Sequence, residues 1–470
     1  MKWEMVIGLE THVELSTKTK IFCSCTTEFE GDPNSHCCPG CLGMPGALPV
    51  LNASAVEYAA KAGLALNCEV KTRSIMARKH YFYPDLSKAY QITQSDKPIC
   101  LAGRMELSNG RTIGITRIHI EEDAGRLVRV GREIRMDDNR AGMPLIEIVT
   151  EPDFRSAEEV LEYMERLQAT LRAVGVSNCR MQEGSMRCDV NISLRRPGDE
   201  KYGVRTETKN LNSFTAIAAA IEYEYGRHAD VLDSGGTPIQ ETRGFDSETG
   251  ETSSLRDKED ADDYRYFTEP DIVPVLLAEA DIERLRSELP EMPEQKLLRY
   301  TLELGVPEFD AKLLTKYRAV SEYFEAASAD VSPKTVANFM TTTMFAHITT
   351  EAEREHWSPA VGAVQLNELI KLVEGNKINR NMAKRVYRQM ADSGKGAAAF
   401  ISEEDLAGFS PEQLEAAVRA AIAGSEKSVA DYKAGKEKAL KAIVGAVMRE
   451  TKGRADAQEA EKLILELISK

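Results

Sequence analysis

Alternation of apolar and polar residues is the first regularity along this chain. From Met5 to Leu15, Met5, Ile7, Leu9, Val13 and Leu15 are apolar, while Glu10, His12 and Glu14 occupy intervening positions. A period of two sends successive side chains to opposite faces of a strand, so this run predicts a strand with one buried and one charged face. Further strands are predicted over Thr112 to Ile120, Leu145 to Val149, Cys188 to Leu194 and Val204 to Lys209. Arg187, Asp189, Asn191 and Ser193 share a face opposite Cys188, Val190, Ile192 and Leu194. Arg205, Glu207 and Lys209 likewise oppose Val204, Thr206 and Thr208, and Ile118-His119-Ile120 runs into Glu121-Glu122-Asp123. A period near 3.6 predicts helices over Ala157 to Val174 and Ala216 to Ser234.

The pattern changes twice. Pro290-Glu291-Met292-Pro293 interrupts it, and short helices without strand runs follow to about Ala352. A second break falls near Ser358-Pro359. Beyond it, Leu366, Leu369, Ile370 and Val373 lie on one helical face with Gly375 as the stop. Ser410-Pro411-Glu412-Gln413 and Asp456 with Glu459 read as capping boxes. The expected organisation is a sheet-bearing domain over 1–292, a small helical domain over 293–357 and an all-helical tail over 358–470. The fold class is therefore α+β, with a large, mostly antiparallel sheet in the first domain.

Composition narrows the function. At 470 residues, 42% hydrophobic and 29% charged, the chain suits a multidomain globular enzyme. No stretch approaches the roughly 20 apolar residues of a membrane span. Acids near the start, Glu4 and Glu10, interrupt the apolar run that a secretion signal needs, so a cytoplasmic location is expected. A net charge of -15 argues against general coating of nucleic acid and confines RNA contact to local basic patches. One such patch spans Lys433 to Arg454, where Lys433, Lys436, Lys438, Lys441, Arg449, Lys452 and Arg454 face only Glu437 and Glu450. Leu440, Ile443, Val444 and Val447 would turn inward and leave the cations outward for phosphates.

Nine cysteines are present, an odd number, and in a reducing compartment they read as metal ligands or buried thiols before disulfides. Cys23-Ser24-Cys25 and Cys38-Pro39-Gly40-Cys41 form two pairs on tight turns, the arrangement of a four-cysteine zinc knuckle over 22–46. His36 and Cys37 are alternative ligands. Four protein ligands close the coordination sphere, so this zinc would be structural.

The charged strand faces carry the chemistry. Carboxylates beside a histidine, with arginines and a lysine interspersed, suit divalent cations and polyphosphate. Histidine is an unusual Mg2+ ligand, so Mn2+ is also accommodated. A half-exposed antiparallel sheet would show the same alternation on any one strand, and it is the combination of four strands that points to a site. Neither Gly-x-x-x-x-Gly-Lys-Ser/Thr nor Gly-x-Gly-x-x-Gly occurs, so a nucleotide would be held on the sheet. There is no Gly-x-Ser-x-Gly elbow for a hydrolase.

Several strings in order resemble the GatB subunit of the glutamyl-/aspartyl-tRNA amidotransferase over nearly the whole chain. They are Val6-Ile7-Gly8-Leu9-Glu10-Thr11-His12-Val13, Lys20-Ile21-Phe22-Cys23-Ser24-Cys25 and Cys38-Pro39-Gly40-Cys41-Leu42-Gly43-Met44-Pro45-Gly46. His119-Ile120-Glu121-Glu122-Asp123-Ala124-Gly125, Asn139-Arg140-Ala141-Gly142-Met143-Pro144-Leu145-Ile146-Glu147, Gly184-Ser185-Met186-Arg187-Cys188-Asp189-Val190-Asn191 and Lys209-Asn210-Leu211-Asn212-Ser213-Phe214 continue the series.

The resemblance implies a cradle-shaped kinase domain related to glutamine synthetase, a helical domain and a YqeY-like tail that binds tRNA. It implies that ATP phosphorylates the side-chain carboxylate of Glu-tRNA(Gln) or Asp-tRNA(Asn), and that ammonia displaces the phosphate. Ammonia would come from a glutaminase partner, and a small wrapping partner would complete a heterotrimer. Glu10, His12, Glu122, Asp189 and Glu207 would hold Mg2+ and serve the chemistry, with Lys79 facing substrate or phosphate. Arg187, Arg205 and Lys209 would contact ATP. A non-catalytic tRNA-binding adaptor is the competing reading. Ser87 and Ala89 stand where the family has proline and glycine, and Asp262 and Thr268 where it has histidine and proline. A role resting on that histidine does not carry over.

Overall fold

A computed structural model of the chain describes residues 2–257, 264–348, 350, 353–354, 357–406, 411–434, 436, 438–451, 455 and 457–468. The chain divides into two compact units, Met1–Pro293 and Glu294–Lys470. The strands are β1 Glu4–Glu14, β2 Glu69–Val70, β3 Arg73–Ser74, β4 Ala77–His80, β5 Tyr90–Thr93, β6 Cys100–Glu106, β7 Thr112–Glu122, β8 Arg126–Val130, β9 Glu133–Asp137, β10 Pro144–Thr150, β11 Met186–Arg195, β12 Thr206–Leu211, β13 Glu241–Asp246, β14 Glu251–Asp257, β15 Phe267–Thr268 and β16 Val275–Leu276. All lie in the first unit. Nine of them form one sheet in the order β14-β13-β12-β11-β1-β10-β7-β6-β2. Every neighbouring pair in it is antiparallel except β12–β13. The mixed α+β class and the mostly antiparallel sheet are as the alternation predicts.

Three helices position this sheet: α1 Ala53–Ala65, α2 Ala157–Ala173 and α3 Phe214–Asp233. Helix α2 starts where the Ser156 side chain accepts the Glu159 N–H, and α3 where Ser213 accepts from Ala216; both are standard N-caps. Val160, Tyr163, Met164, Leu167 and Leu171 form the buried stripe of α2. That stripe covers the apolar face of β1: Ile7, Leu9 and Val13 are at most 1% exposed, and the Thr11 hydroxyl lies 3.8 Å from Met164 Sδ. Helix α3 supplies the crossover that the parallel β12–β13 pair requires. With one sheet face closed by helices, the opposite face is left for polar side chains.

The predicted strand over Val204 to Lys209 begins only at Thr206, where pairing with β11 starts. Arg205 therefore lies in the preceding loop and is exposed. Strands β4 and β5 form a small sheet with β15. Strand β5 runs beside the end of β7, with the Gln94 side chain accepting the Ile120 N–H at 3.0 Å.

Among the described residues of the second unit, all regular elements are helices. Helix Ala363–Glu374 buries Leu366, Leu369 and Ile370 and stops at Gly375, as the periodicity predicts. One hydrophobic core runs from Tyr300 to Ala397 and a second from Leu414 to Ile468. Ser358-Pro359, where the sequence suggests a domain boundary, lies within the span of the first core. Helices Pro411–Ala423 and Ala457–Ile468 start where the capping boxes place them, although Ser410 and Asp456 themselves lie outside the described residues.

Candidate active site and zinc knuckle

Strand register brings the site together. His12 on β1 lies opposite Glu147 on β10, and Glu147 lies opposite His119 on β7. Directly opposed residues project to the same face, so His12, Glu147 and His119 line up across three strands. Glu121, two residues beyond His119, joins them. His12 Nε2 is 3.3 Å from Glu121 and 3.6 Å from Glu147, and His119 Nε2 is 3.1 Å from Glu147 and 3.7 Å from Glu121. One donor atom each from His12, Glu121 and Glu147 lie within 4.8 Å of one another, a spacing able to hold a metal ion.

The electrostatics follow from this packing. Burial pulls the His12 imidazole down, but hydrogen bonds and charge from Glu121 and Glu147 outweigh it and hold it well above its ordinary value. His119 is pushed up to about 9 in the same way, against the effect of burial and chiefly by Glu147. Burial raises Glu121, yet the two imidazoles bring it down to about 2. Glu147 is likewise held well below the usual carboxylate range.

Glu122 is not part of this group, which corrects its assignment as a Mg2+ ligand beside His12. It shares the face of Ile118 and Ile120, and its carboxylate accepts from Lys88 Nζ at 2.6 Å and the Ile92 N–H at 2.8 Å. The residues brought beside His12 are instead Glu121 and Glu147. The signal for Glu147 is a single acid inside the apolar strand Pro144–Thr150.

Glu10, Asp189 and Glu207 form an adjoining acidic group. Glu10 lies opposite Asp189, and Asn191 opposite Glu207. Lys209 Nζ joins Asp189 at 2.6 Å and Glu207 at 3.1 Å. Glu10 accepts from Asn191 at 3.1 Å, and burial together with Glu147, Glu207 and Asp189 pushes its carboxyl up. Lys209 is pushed up by Asp189 and Glu207, which overcome its burial.

His12, Glu121, Asp189, Lys79, Arg187 and Lys209 all line one cleft of about 750 Å3. Lys79 reaches it from β4, with its ammonium 4.6 Å from the Tyr264 ring centre. Burial lowers Lys79, but Glu121 and the nearby tyrosines raise it further, so it stays charged. Arg187 Nη2 donates to Asp123 at 3.0 Å, and Arg140 donates to the same carboxylate at 2.6 Å. Arg205 is absent from the cleft lining, because its loop precedes the paired part of β12. Glu14, on the same strand face as Glu10 and His12, has a side chain only 14% exposed that pairs with Arg140 at 2.5 Å.

The cysteine knuckle is assembled as its spacing predicts. Cys41 Sγ lies 3.4 Å from Cys23, 3.7 Å from Cys38 and 3.8 Å from Cys25. Zinc–sulfur bonds of about 2.3 Å in a tetrahedron place sulfurs about 3.8 Å apart, so the four fit one zinc ion. All nine cysteines are free thiols. Lys20, fully buried, brings its ammonium to 3.6 Å from Cys41 Sγ and 3.2 Å from the Asp138 carbonyl. The Cys23 thiol and Lys20 help hold the Cys41 thiol below its ordinary value, the state a metal needs. Cys37 is outside the group, its sulfur 3.9 Å from Asn139 Oδ1, and His36 is not among the clustered ligands either.

Two departures from the family strings have local accounts. Ser87 Oγ donates to Asp138 Oδ1 at 3.0 Å, a bond proline cannot make. Ala89 has φ +60°, the left-handed region where glycine is unstrained. Thr268 pairs opposite Ala77 at the edge of β4, and Asp262 lies outside the described residues.

In the tail, Leu440, Ile443 and Val447 are buried and Val444 half-buried. Lys433, Lys438, Lys441 and Arg449 are exposed, and Lys436 pairs with Asp431 at 2.9 Å. Lys452 and Arg454 lie outside the described residues. Among the described residues no helix is long and apolar enough to cross a membrane.

Comparison with known proteins agrees along the length of the chain. Residues 5–283 match the GatB/GatE catalytic domain, and residues 322–468 match the GatB domain that bears the YqeY name. The corresponding subunit of the aspartyl/glutamyl-tRNA(Asn/Gln) amidotransferase from Caldicellulosiruptor saccharolyticus is 48% identical, with all of both chains covered. The proteins of the same name from Thermoanaerobacter pseudethanolicus and Geotalea daltonii are each 47% identical, over 100% and 99% of both chains respectively. Two matching family domains and full-length similarity to these relatives lead to one conclusion: the chain belongs to the GatB family of aspartyl/glutamyl-tRNA amidotransferase subunits.

Proposed function

We propose that this chain is the carboxylate-activating subunit of a tRNA-dependent amidotransferase, a carbon–nitrogen ligase. The observation that carries the reading is the convergence of His12, Glu121 and Glu147, with His12 and Glu121 lining one cleft together with Lys79, Arg187 and Lys209. Bound Mg2+ or Mn2+ would draw charge from phosphate oxygens. The cationic side chains would neutralise what remains and orient the phosphates.

In the reaction, a side-chain carboxylate oxygen of Glu-tRNA(Gln) or Asp-tRNA(Asn) bonds to the γ-phosphorus of ATP, and ADP leaves. Ammonia then bonds to the acyl carbon, its C–O bond to phosphate breaks, and the amide forms with release of phosphate and a proton. Activation is needed because a carboxylate has no good leaving group. A glutaminase partner would supply the ammonia, with a small third chain completing the heterotrimer in the cytoplasm. Glu10, Asp189 and Glu207, bridged by Lys209, would extend the charged site. The exposed Lys433, Lys438 and Lys441 would contact tRNA phosphates. Zinc at Cys23, Cys25, Cys38 and Cys41 would hold the knuckle folded.

The test is ADP release by the reconstituted complex with ATP, Mg2+ and Glu-tRNA(Gln) or Asp-tRNA(Asn). Release stimulated by charged tRNA and lost in Glu147→Gln is expected. Release that charged tRNA does not stimulate favours the adaptor reading, and release with free glutamate alone favours a glutamine-synthetase-like activity.

A further inference from the structure

We infer that His119 is a positioning residue, one that holds the Glu121 and Glu147 carboxylates in the orientation a cation needs without binding the cation itself. This rests on the reading of His12, Glu121 and Glu147 as the cation site. The four side chains form a ring in which imidazoles and carboxylates alternate, His12 to Glu121 to His119 to Glu147, with contacts of 3.3, 3.7, 3.1 and 3.6 Å. The two histidines are not equivalent. His12 is 21% exposed at its side chain and belongs to the group whose donor atoms lie within 4.8 Å of one another, whereas His119 is 6% exposed and falls outside that group.

A cation approaching from the cleft takes the His12 Nε2 lone pair and so removes that nitrogen as a hydrogen-bond donor. His119 is then the donor that remains for the two carboxylates. Its Nδ1 is buried without a partner, so the ring acts on its surroundings through Nε2, which lies within hydrogen-bond distance of Glu147 at 3.1 Å and faces the Glu121 carboxylate at 3.7 Å. Carboxylate ligands are commonly oriented by such outer partners, and losing one costs about 10–100-fold in metal affinity. Strand geometry fixes the arrangement: His119 sits directly opposite Glu147 on β10 and two residues before Glu121 on β7.

The experiment is Mn2+ titration of the full zinc-loaded chain, followed by electron paramagnetic resonance, with electron spin echo detection of directly bound nitrogen. His119→Ala is expected to weaken Mn2+ binding about 10–100-fold while keeping the nitrogen coupling from His12. Gln places an N–H near the position of Nε2, whereas Asn is too short, so His119→Gln is expected to recover most of the affinity and His119→Asn little. Unchanged affinity in His119→Ala, equal behaviour of the Gln and Asn variants, or loss of the nitrogen coupling in His119→Ala would each overturn the inference. Glu147→Gln separates the two readings. If it leaves Mn2+ affinity unchanged, the cation site itself is wrong and the role of His119 falls with it; if it weakens binding while His119→Ala does not, only the role of His119 fails.

Discussion

The cysteine knuckle and the cleft cluster are built in opposite ways. The knuckle takes four identical donors from one short stretch, closes them around one point and adds the buried ammonium of Lys20. The cleft cluster draws single residues from β1, β7 and β10, mixes imidazole with carboxylate and opens on one side. A closed thiolate set holds a loop together, whereas an open mixed set leaves coordination positions for a substrate. Removing a ligand should therefore unfold one region and silence the other.

The largest effect is expected at the knuckle. Structural zinc contributes on the order of 10 kcal/mol in small zinc domains, so Cys38→Ser should lose its zinc by elemental analysis and either aggregate or melt far below the parent chain. A Cys38→Ser protein with normal zinc content and melting would contradict the closed site.

Glu147→Gln should cut charged-tRNA-stimulated ADP release by about 100-fold or more, the scale of losing a group that stabilises transition-state charge, with the zinc content intact. Glu122→Gln makes the complementary test. It leaves Lys88 beside a neutral partner at a site where Glu122 is 2% exposed, and breaking such a buried pair costs about 3–5 kcal/mol. Lower stability in urea with Mn2+ affinity retained is expected, and the reverse pattern would restore Glu122 as a ligand.

Acid and base should act on the cleft cluster through protons. His119 is pushed from its ordinary 6.5 up to about 9, so its contribution to stability is complete below pH 6.5 and fades as pH rises toward 9. Glu121 is pulled from 4.5 down to about 2, so its contribution is present above pH 4.5 and lost as pH falls toward 2. Without added Mg2+ or Mn2+, the ring should stabilise the chain most between pH 4.5 and 6.5. Mn2+, which competes with the proton on His12, should bind more tightly as pH rises above the ordinary imidazole value of 6.5, because His12 is held protonated well above it. Melting curves and Mn2+ titrations over pH check both trends, and Mn2+ affinity that falls as pH rises above 6.5 would contradict them.

The smallest effect concerns Ala89. A left-handed conformation costs a non-glycine residue roughly 1–2 kcal/mol, partly offset by the greater chain entropy of glycine. Ala89→Gly should raise the urea midpoint slightly, and a lowered midpoint would show that the φ of +60° carries no strain.

The knuckle was legible in the sequence because its ligands are close along the chain. His12, Glu10 and Asp189 were legible because alternation on β1 and β11 separates their face from the apolar one. The choice between Glu121 and Glu122 was also available: His119 and Glu121 share one parity, while Ile118, Ile120 and Glu122 share the other. A run of three acids and a family resemblance obscured it. Glu147 was harder, since its meaning depends on which strand pairs with β1, and that pairing joins residues far apart in sequence. The burial of Lys20 against Cys41 and the link from Arg140 to both Glu14 and Asp123 depend on the same long-range packing.

Manganese anomalous scattering from crystals of the complete amidotransferase complex soaked in Mn2+ tests the site most directly. An anomalous peak bounded by His12 Nε2 and the carboxylates of Glu121 and Glu147 is expected, with His119 outside bonding distance. A peak against Glu122, or none in the cleft, would contradict it.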